Sequence, residues 1–414
     1  RKSTIFEQTR GFFSMYINRN LERELNKYID RREIIAVVGP RQCGKTTLLK
    51  YIFKDLKNAK FLDFEDRETL ELFNEDIKSF IDLYVKPYNY LFIDEFQYAK
   101  EGGKNLKYIY DSQKTKIIIS GSSVSSLSIQ SIKYLVGRIF AFNLYPFSFE
   151  EYLNFKEPKL YNVYAKRELS KPIISKITPY FEEFCVYGGY PRVVLAKDRE
   201  EKETVLRNIY NTYFLKEIRE ILNLLEDHKL SKLINALAFQ IGNIISYNEL
   251  SDLTGFNYND LLKYMNILEK TFVTVRSQPF YTNKRTELVK APKIFFVDNG
   301  FRNIVAKNFQ PIKNRQDKGA LYENFIASEL TKKGIGVKYW RTKSKAEIDF
   351  VIEDRGNLVP VEIKSSLKKT KVTKSFHSFV EKYNPKKGLI FSETLFSKKG
   401  KIKFRPIFSV NKEV

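Results

Sequence analysis

The chain has 414 residues, 43% of them hydrophobic and 15% aromatic, which is enough to bury several cores and excludes disorder as a global state. A formal charge of +23 points to a polyanionic partner, nucleic acid ahead of an acidic membrane surface, although lysine-rich usage also serves solubility or life at high temperature. Two cysteines, Cys43 and Cys185, and two histidines, His228 and His377, argue against a Cys/His zinc cluster at these separations. The cysteine count fits a reducing cytoplasm, no apolar run reaches the length of a membrane span, and no secretory signal is visible. The chain opens on Arg1 rather than Met, so its natural start is expected upstream.

In chain order, the first thirty residues read as a helical arm, with Leu21, Leu25, Tyr28 and Ile29 at helical spacing. The apolar run 34–38 follows, and directly after it stands Gly39-Pro40-Arg41-Gln42-Cys43-Gly44-Lys45-Thr46-Thr47. Gly, four residues, Gly-Lys-Thr between a strand and a helix is the Walker A spacing. The glycines let consecutive N–H groups turn onto phosphates, Lys45 adds a point charge, and the Thr46 hydroxyl is placed for Mg²⁺. A helix over 46–53 aims its positive dipole end at the same anion. Arg10, Tyr16 and Arg19 are candidates to frame a nucleotide base, or simply pack.

From 34 to about 144, β-rich runs at 34–38, 60–64, 90–93, 116–120 and 139–144 alternate with helical stretches, which predicts βαβ units and a parallel sheet covered on both faces. The run at 90–93 ends in Asp94-Glu95, two carboxylates at the edge where ligands sit in open α/β sheets. Asp94 is placed to hold Mg²⁺ through water and Glu95 to orient or deprotonate the attacking water. The run ending in Ser120-Gly121-Ser122-Ser123 puts hydroxyls at a strand tip, for the γ-phosphate or for helix capping. Val136-Gly137-Arg138 precedes the next run, and Arg138 is a candidate trigger for γ-phosphate cleavage, in cis or from a neighbour.

These motifs, in this order, resemble an AAA-type ATPase, and 137–152 resembles a large archaeal and bacterial group that joins such an ATPase to an uncharacterised C-terminal half. The resemblance implies ATP and Mg²⁺ as cofactors, Ser120 or Ser122 as sensor 1, and Arg138 as an arginine finger, which in trans requires a homo-oligomer. It also implies a helical lid whose Gly188-Gly189-Tyr190-Pro191 element, followed by Arg192, brings Pro191 and Arg192 toward the nucleotide.

The region from 160 to about 225 is helical, charged and tyrosine-rich, as a lid would be. Helical stretches 230–241, 247–253 and 257–270, then β-rich runs 272–277 and 293–297 around a basic loop 284–293, predict a winged helix-turn-helix facing DNA, or a protein-interaction domain of that shape. Beyond 319 a helix over 320–331 carries Glu323, and strands over 346–352 and 359–365 carry Glu347, Asp349, Glu362 and Lys364. Alternation puts Glu362 and Lys364 on one face, and strand pairing brings Asp349 beside them.

Carboxylates that bind Mg²⁺ beside a lysine are what metal-assisted phosphodiester cleavage needs, and burying them in apolar strands costs free energy unless they are paired or metal-bound. Asp, twelve residues, Glu-x-Lys after a helical Glu resembles the PD-(D/E)XK nuclease pattern, which implies Glu323, Asp349 and Glu362 as metal ligands and Lys364 as the catalytic lysine. From 311 to 414 twenty-four Lys and Arg stand against eleven Asp and Glu, a net of +13, in keeping with a DNA-gripping module.

The expected architecture is α/β: a P-loop ATPase core at 1–157, a helical lid at 158–226, a winged helix at 227–310 and a small α/β nuclease-like domain at 311–414. The expected function is ATP-dependent processing of DNA in the cytoplasm. A nucleotide-controlled switch that binds DNA or protein without cutting is the alternative, and an ATPase acting at membranes has only the charge in its favour.

Overall fold

The computed structural model describes residues 16–100, 102–122, 134–214, 227–354, 356–367 and 369–414; Arg10, Ser123 and the stretch 215–226 of the expected lid lie outside them. The chain divides into two compact units, Arg1–Pro146 and Phe147–Val414.

In the first unit α1 (Asn20–Tyr28) leads into β1 (Ile34–Val38), and α2 (Lys45–Lys54) follows the phosphate-loop sequence. Then come β2 (Ala59–Asp63), β3 (Tyr90–Asp94), α3 (Gly102–Ser112), β4 (Lys116–Gly121) and β5 (Ile139–Asn143). The five strands are parallel, in the order β2-β3-β4-β1-β5. Every residue of β1 and β4 is buried, as expected of central strands covered on both faces, and this is why they read as unbroken apolar runs. On one face Ile35, Val37, Phe92 and Ile118 pack with Leu48, Leu49 and Ile52 of α2 and Leu25 of α1. The chain leaves β1 for one side of the sheet, returns through β3 and β4, and crosses to β5 on the other side. The reversal sets a crevice at the C-terminal end of β1.

The second unit opens with α4 (Phe149–Lys156), whose start is closed by a capping box: Ser148 accepts from the Glu151 N–H and Glu151 accepts from the Ser148 N–H. After a helix at Pro158–Lys166 comes α5 (Lys171–Tyr187), which ends at Gly188, φ 75°. Short helices at Pro191–Leu195 and Arg199–Asn208 lead to three helices, α6 (Asp227–Phe239), α7 (Tyr247–Thr254) and α8 (Tyr258–Lys270). A ribbon follows, β6 (Thr274–Pro279) antiparallel to β7 (Lys293–Phe296). The expected basic loop between these strands is instead partly helical, α9 (Lys284–Val289). Asn283 caps it by accepting from the Arg285 N–H at 3.0 Å, and Lys284 pairs with Glu287 and Glu353.

The chain then forms α10 (Asn299–Val305), α11 (Lys318–Lys332), β8 (Lys338–Arg341), β9 (Glu347–Asp354), β10 (Asn357–Lys364), α12 (Lys374–Tyr383), β11 (Gly388–Ser392), β12 (Ser397–Lys399) and β13 (Ile402–Pro406). One mixed eight-stranded sheet results, in the order β12-β13-β11-β10-β9-β8-β6-β7. The ribbon β6–β7 is part of it, because Gln278 and Pro279 of β6 pair in parallel with Lys338 and Tyr339 of β8. The hydrogen-bonded sheet therefore runs across position 310. Among the described residues no helix is long and apolar enough to cross a membrane.

Candidate functional site

Three C-terminal strand ends meet at the crevice of the first unit. After β1 the loop turns on Gln42, φ 62°, and Gly44, φ 97°. A Cβ on Gly39 would collide with the Leu144 carbonyl, so no side chain fits there. The buried Lys45 ammonium is folded onto the loop, donating to the Gly39 and Pro40 carbonyls at 3.0 Å each. Thr46 and Thr47 open α2 half-buried beside it. Arg19 is buried, and donates to the Cys43 carbonyl at 2.9 Å and the Tyr145 carbonyl at 2.6 Å, bracing the loop from behind. Tyr16 stacks on Tyr51 of α2 at 3.7 Å between ring centroids and donates to Glu22.

At the end of β3, Asp94 is 1% exposed and accepts from the Ser120 hydroxyl of the neighbouring strand β4. Glu95 stands in the left-handed region, φ 52°, an unusual conformation for a side-chain-bearing residue and one that concentrates at functional sites. Its N–H donates to the Ser120 oxygen at 3.4 Å, and its carboxylate accepts from the Gln97 amide. Gln97 in turn accepts from the Ser122 N–H at 3.3 Å, so it ties the two strand tips together. Sequence reasoning missed Gln97; its position two residues past the Asp-Glu pair was the available signal.

Arg138 is placed elsewhere. Its carbonyl accepts from the Ile34 N–H at the start of β1, and its guanidinium pairs with Asp111 at 2.9 Å. β1 alone, five residues rising about 3.3 Å each, separates that end from the phosphate loop. Within one chain Arg138 therefore lies at the end of β1 away from the phosphate loop. Gly188-Gly189-Tyr190-Pro191 lies in the second unit. There the Gly189 N–H donates to the buried Asp298 at 2.7 Å, and Cβ atoms on Gly188 and Gly300 would collide with Asp298 and the Tyr187 carbonyl. Burial pushes the Asp298 carboxyl up. Arg192 is exposed on its short helix.

The second unit brings the C-terminal carboxylates into one neighbourhood. The β9–β10 ladder ends at the pair Phe350–Val361, and beyond it the Asp349 carboxylate takes the Ile363 N–H at 2.7 Å. Burial, then the facing Asp349, pushes the Glu323 carboxyl up, against the pull of Lys293 and Lys364. Burial also raises Asp349, opposed by the Ile363 N–H and the same two lysines. For Lys364 burial works against the charge, yet Glu362, Asp349 and Glu323 together raise its ammonium. Glu362 is held by Lys364 at 2.8 Å and by the Thr373 hydroxyl at 3.0 and 2.9 Å.

Among the described residues no group of three or more His, Cys, Asp and Glu side chains is arranged to hold a metal ion. The expected trio Glu323, Asp349 and Glu362 is thus not gathered into one ion-sized shell, because Glu362 is turned to Thr373 and Lys364. Two members, Glu323 and Asp349, still repel each other's charge, and repulsion between buried carboxylates is what a cation relieves. Lys293 was missed by sequence reasoning. It comes from β7, is 3% exposed, and pairs with Glu347 at 2.5 Å. A lysine opening an apolar strand was the only hint.

Residues 31–153 match the AAA domain family. The chain carries an AAA-type P-loop ATPase domain. Behind this AAA-type domain, residues 178–311 and 318–407 match two domains of unknown function, DUF8612 and DUF4143. An uncharacterized protein of Haemophilus influenzae is 27% identical over 370 residues, covering 84% of this chain and 87% of that protein. One from Methanocaldococcus jannaschii is 26% identical over 410 residues, covering 91% and 84%. Among solved structures, a Walker-type ATPase of Pyrococcus abyssi is similar at 16% identity and TM-score 0.46, covering 70% of this chain and 96% of that one.

Proposed function

We propose that ATP hydrolysis in the AAA-type domain drives or licenses action on DNA by a nuclease-like site in the second unit. The observation that carries the first half is the meeting of Lys45, Asp94, Glu95 and Ser120 at three adjacent strand ends. ATP with Mg²⁺ fits the loop: Lys45 exchanges its loop carbonyls for phosphate oxygens, and Thr46 and Asp94 would hold the ion, which neutralises phosphate charge. Glu95, aimed by Gln97, orients the attacking water and takes its proton, while Ser120 fixes Asp94. Arg138 would serve only a neighbouring chain's nucleotide.

The second half rests on Glu323, Asp349 and Lys364 beside the end of the β9–β10 ladder, in a segment with a net charge of +13. A divalent ion would be held by Glu323 and Asp349, with Glu362 released to it only by giving up Thr373 and Lys364. Such an ion supplies charge stabilisation at a phosphodiester. Lys364, kept as an ammonium by the surrounding carboxylates, positions the hydrolytic water and the phosphate. The three helices α6–α8 and the ribbon β6–β7 read as a winged helix facing the duplex.

A second reading, a nucleotide-controlled switch that binds DNA or protein without cutting, is favoured by the pinned state of Glu362. ATP hydrolysis and cleavage of duplex and branched DNA with Mg²⁺ or Mn²⁺ distinguish the readings. Lys45→Ala should lower hydrolysis by about 10²-fold or more, and Asp349→Ala should abolish cleavage with hydrolysis retained. DNA binding without cutting under every metal and nucleotide leaves only the switch. Normal hydrolysis by the Lys45 variant removes the nucleotide site itself.

A further inference from the structure

The edge of the first sheet opposite the phosphate loop is also hollow. A cleft of about 730 Å³ lies where β3 and β4 begin and α1 hands over to β1, within the size range of ligand-binding pockets. Its lining includes Arg31, Arg32, Lys86, Lys114, Tyr88 and Tyr90, with Asp30 as the one acid.

The walls are pinned. The buried Lys116 ammonium donates to the Tyr28, Arg31 and Glu33 carbonyls at 2.8, 2.7 and 2.6 Å, which fixes the loop carrying Arg31 and Arg32. The Thr115 hydroxyl donates to the Val85 and Tyr88 carbonyls at 3.0 Å each, and the Lys116 N–H donates to the Asn89 carbonyl at 2.9 Å, fixing the two facing loops. On this frame Arg31 and Lys114 stand exposed, and neither side chain has a hydrogen bond or ion pair among the described residues. Among the described residues Lys86 has only the exposed Asp82, a pairing of little worth in water. Arg32 donates to the Tyr110 carbonyl and pairs with no acid among the described residues.

We propose that this cleft binds a single strand of nucleic acid, its phosphates on Arg31 and Lys114 and a base against the half-buried Tyr88. Cations beside an aromatic face are the chemistry of sequence-tolerant strand binding. An acidic peptide would use the cations and leave the rings idle. The inference rests on the reading that the chain acts on nucleic acid, but on a surface in the AAA-type domain rather than on the C-terminal carboxylates.

Fluorescence anisotropy of a labelled oligothymidylate with the full chain tests it. The double variant Arg31→Ala, Lys114→Ala should bind roughly tenfold more weakly, with a log–log salt slope reduced by about 1.4, at about 0.7 per phosphate contact. Tyr88→Ala should weaken binding about fivefold or more with the slope unchanged. Both variants should hydrolyse ATP normally, which shows that the unit is folded. Wild-type affinity and slope in the double variant overturn the cleft and leave the C-terminal DNA reading intact. Poly-glutamate competing as well as unlabelled oligothymidylate overturns the choice of ligand. A wild-type chain that ignores the probe overturns the cleft, while the duplex reading stands or falls on its own cleavage assay.

Discussion

Glu95 has little freedom: its backbone sits in the left-handed region, its N–H is on Ser120, and its carboxylate is on Gln97. In the proposed hydrolysis the aim of Glu95 therefore depends on a neutral amide that does no chemistry. Gln97→Ala leaves the phosphate loop untouched and lets Glu95 swing. Its kcat for ATP should fall about 10²-fold with KM nearly unchanged, since a misaimed group costs turnover rather than ground-state binding. Steady-state hydrolysis checks this, and a rise in KM at constant kcat would count against it. Arg19 marks the opposite case. An arginine near a nucleotide loop invites a ligand role, but two carbonyl acceptors at 2.9 and 2.6 Å make it a brace.

Elements were legible wherever burial leaves a compositional trace. The strands of the first sheet sit within one or two residues of their apolar runs, most plainly the central β1 and β4, because a strand covered on both faces has few polar positions. Asp94, Glu95 and Ser120 were legible as charges and hydroxyls at the ends of such runs. Lys293 and Gln97 were not, since their roles come from side chains that meet only after folding. The helix α9 had a readable cap, Asn283, hidden behind a basic sequence that suggested a loop. The pairing of β6 with β8 left no trace at all, because a register between distant strands is not a local pattern. It has a measurable consequence. A fragment of residues 311–414 bares the edge of β8 and removes the Phe296 backbone that the buried Asn324 amide bonds at 2.6 and 3.0 Å. That fragment should aggregate, whereas 147–414 should stay monomeric and melt cooperatively. Light scattering and thermal melts compare them, and a soluble, cooperative 311–414 would show that the ribbon is dispensable.

At the scale of the whole molecule, the second unit is tied across long sequence distances by buried polar groups. Asn303 donates to the Cys185 and Val186 carbonyls, and Arg302 and Arg315 converge on Asp317 at 2.5 and 2.8 Å. Burial works against the Asp317 charge, but the two guanidiniums hold its carboxyl down to about 2, from 3.8. A depressed folded-state value means that the stabilisation is full above the unfolded value and is lost as the pH falls through the folded one. Asp317→Asn should therefore be less stable than wild type by on the order of 2 kcal/mol near neutrality. Denaturant midpoints should show that gap constant above 3.8 and closing toward pH 2; a gap independent of acid would mean that packing, not charge, holds the network. The shared sheet carries a mechanical meaning. Between the ribbon that supplies Lys293 and the strands that supply Asp349 and Lys364 there are hydrogen bonds in place of a hinge. Any load that tilts the ribbon is borne as shear between neighbouring strands, so the carboxylate cluster feels it at once, without slack to take up.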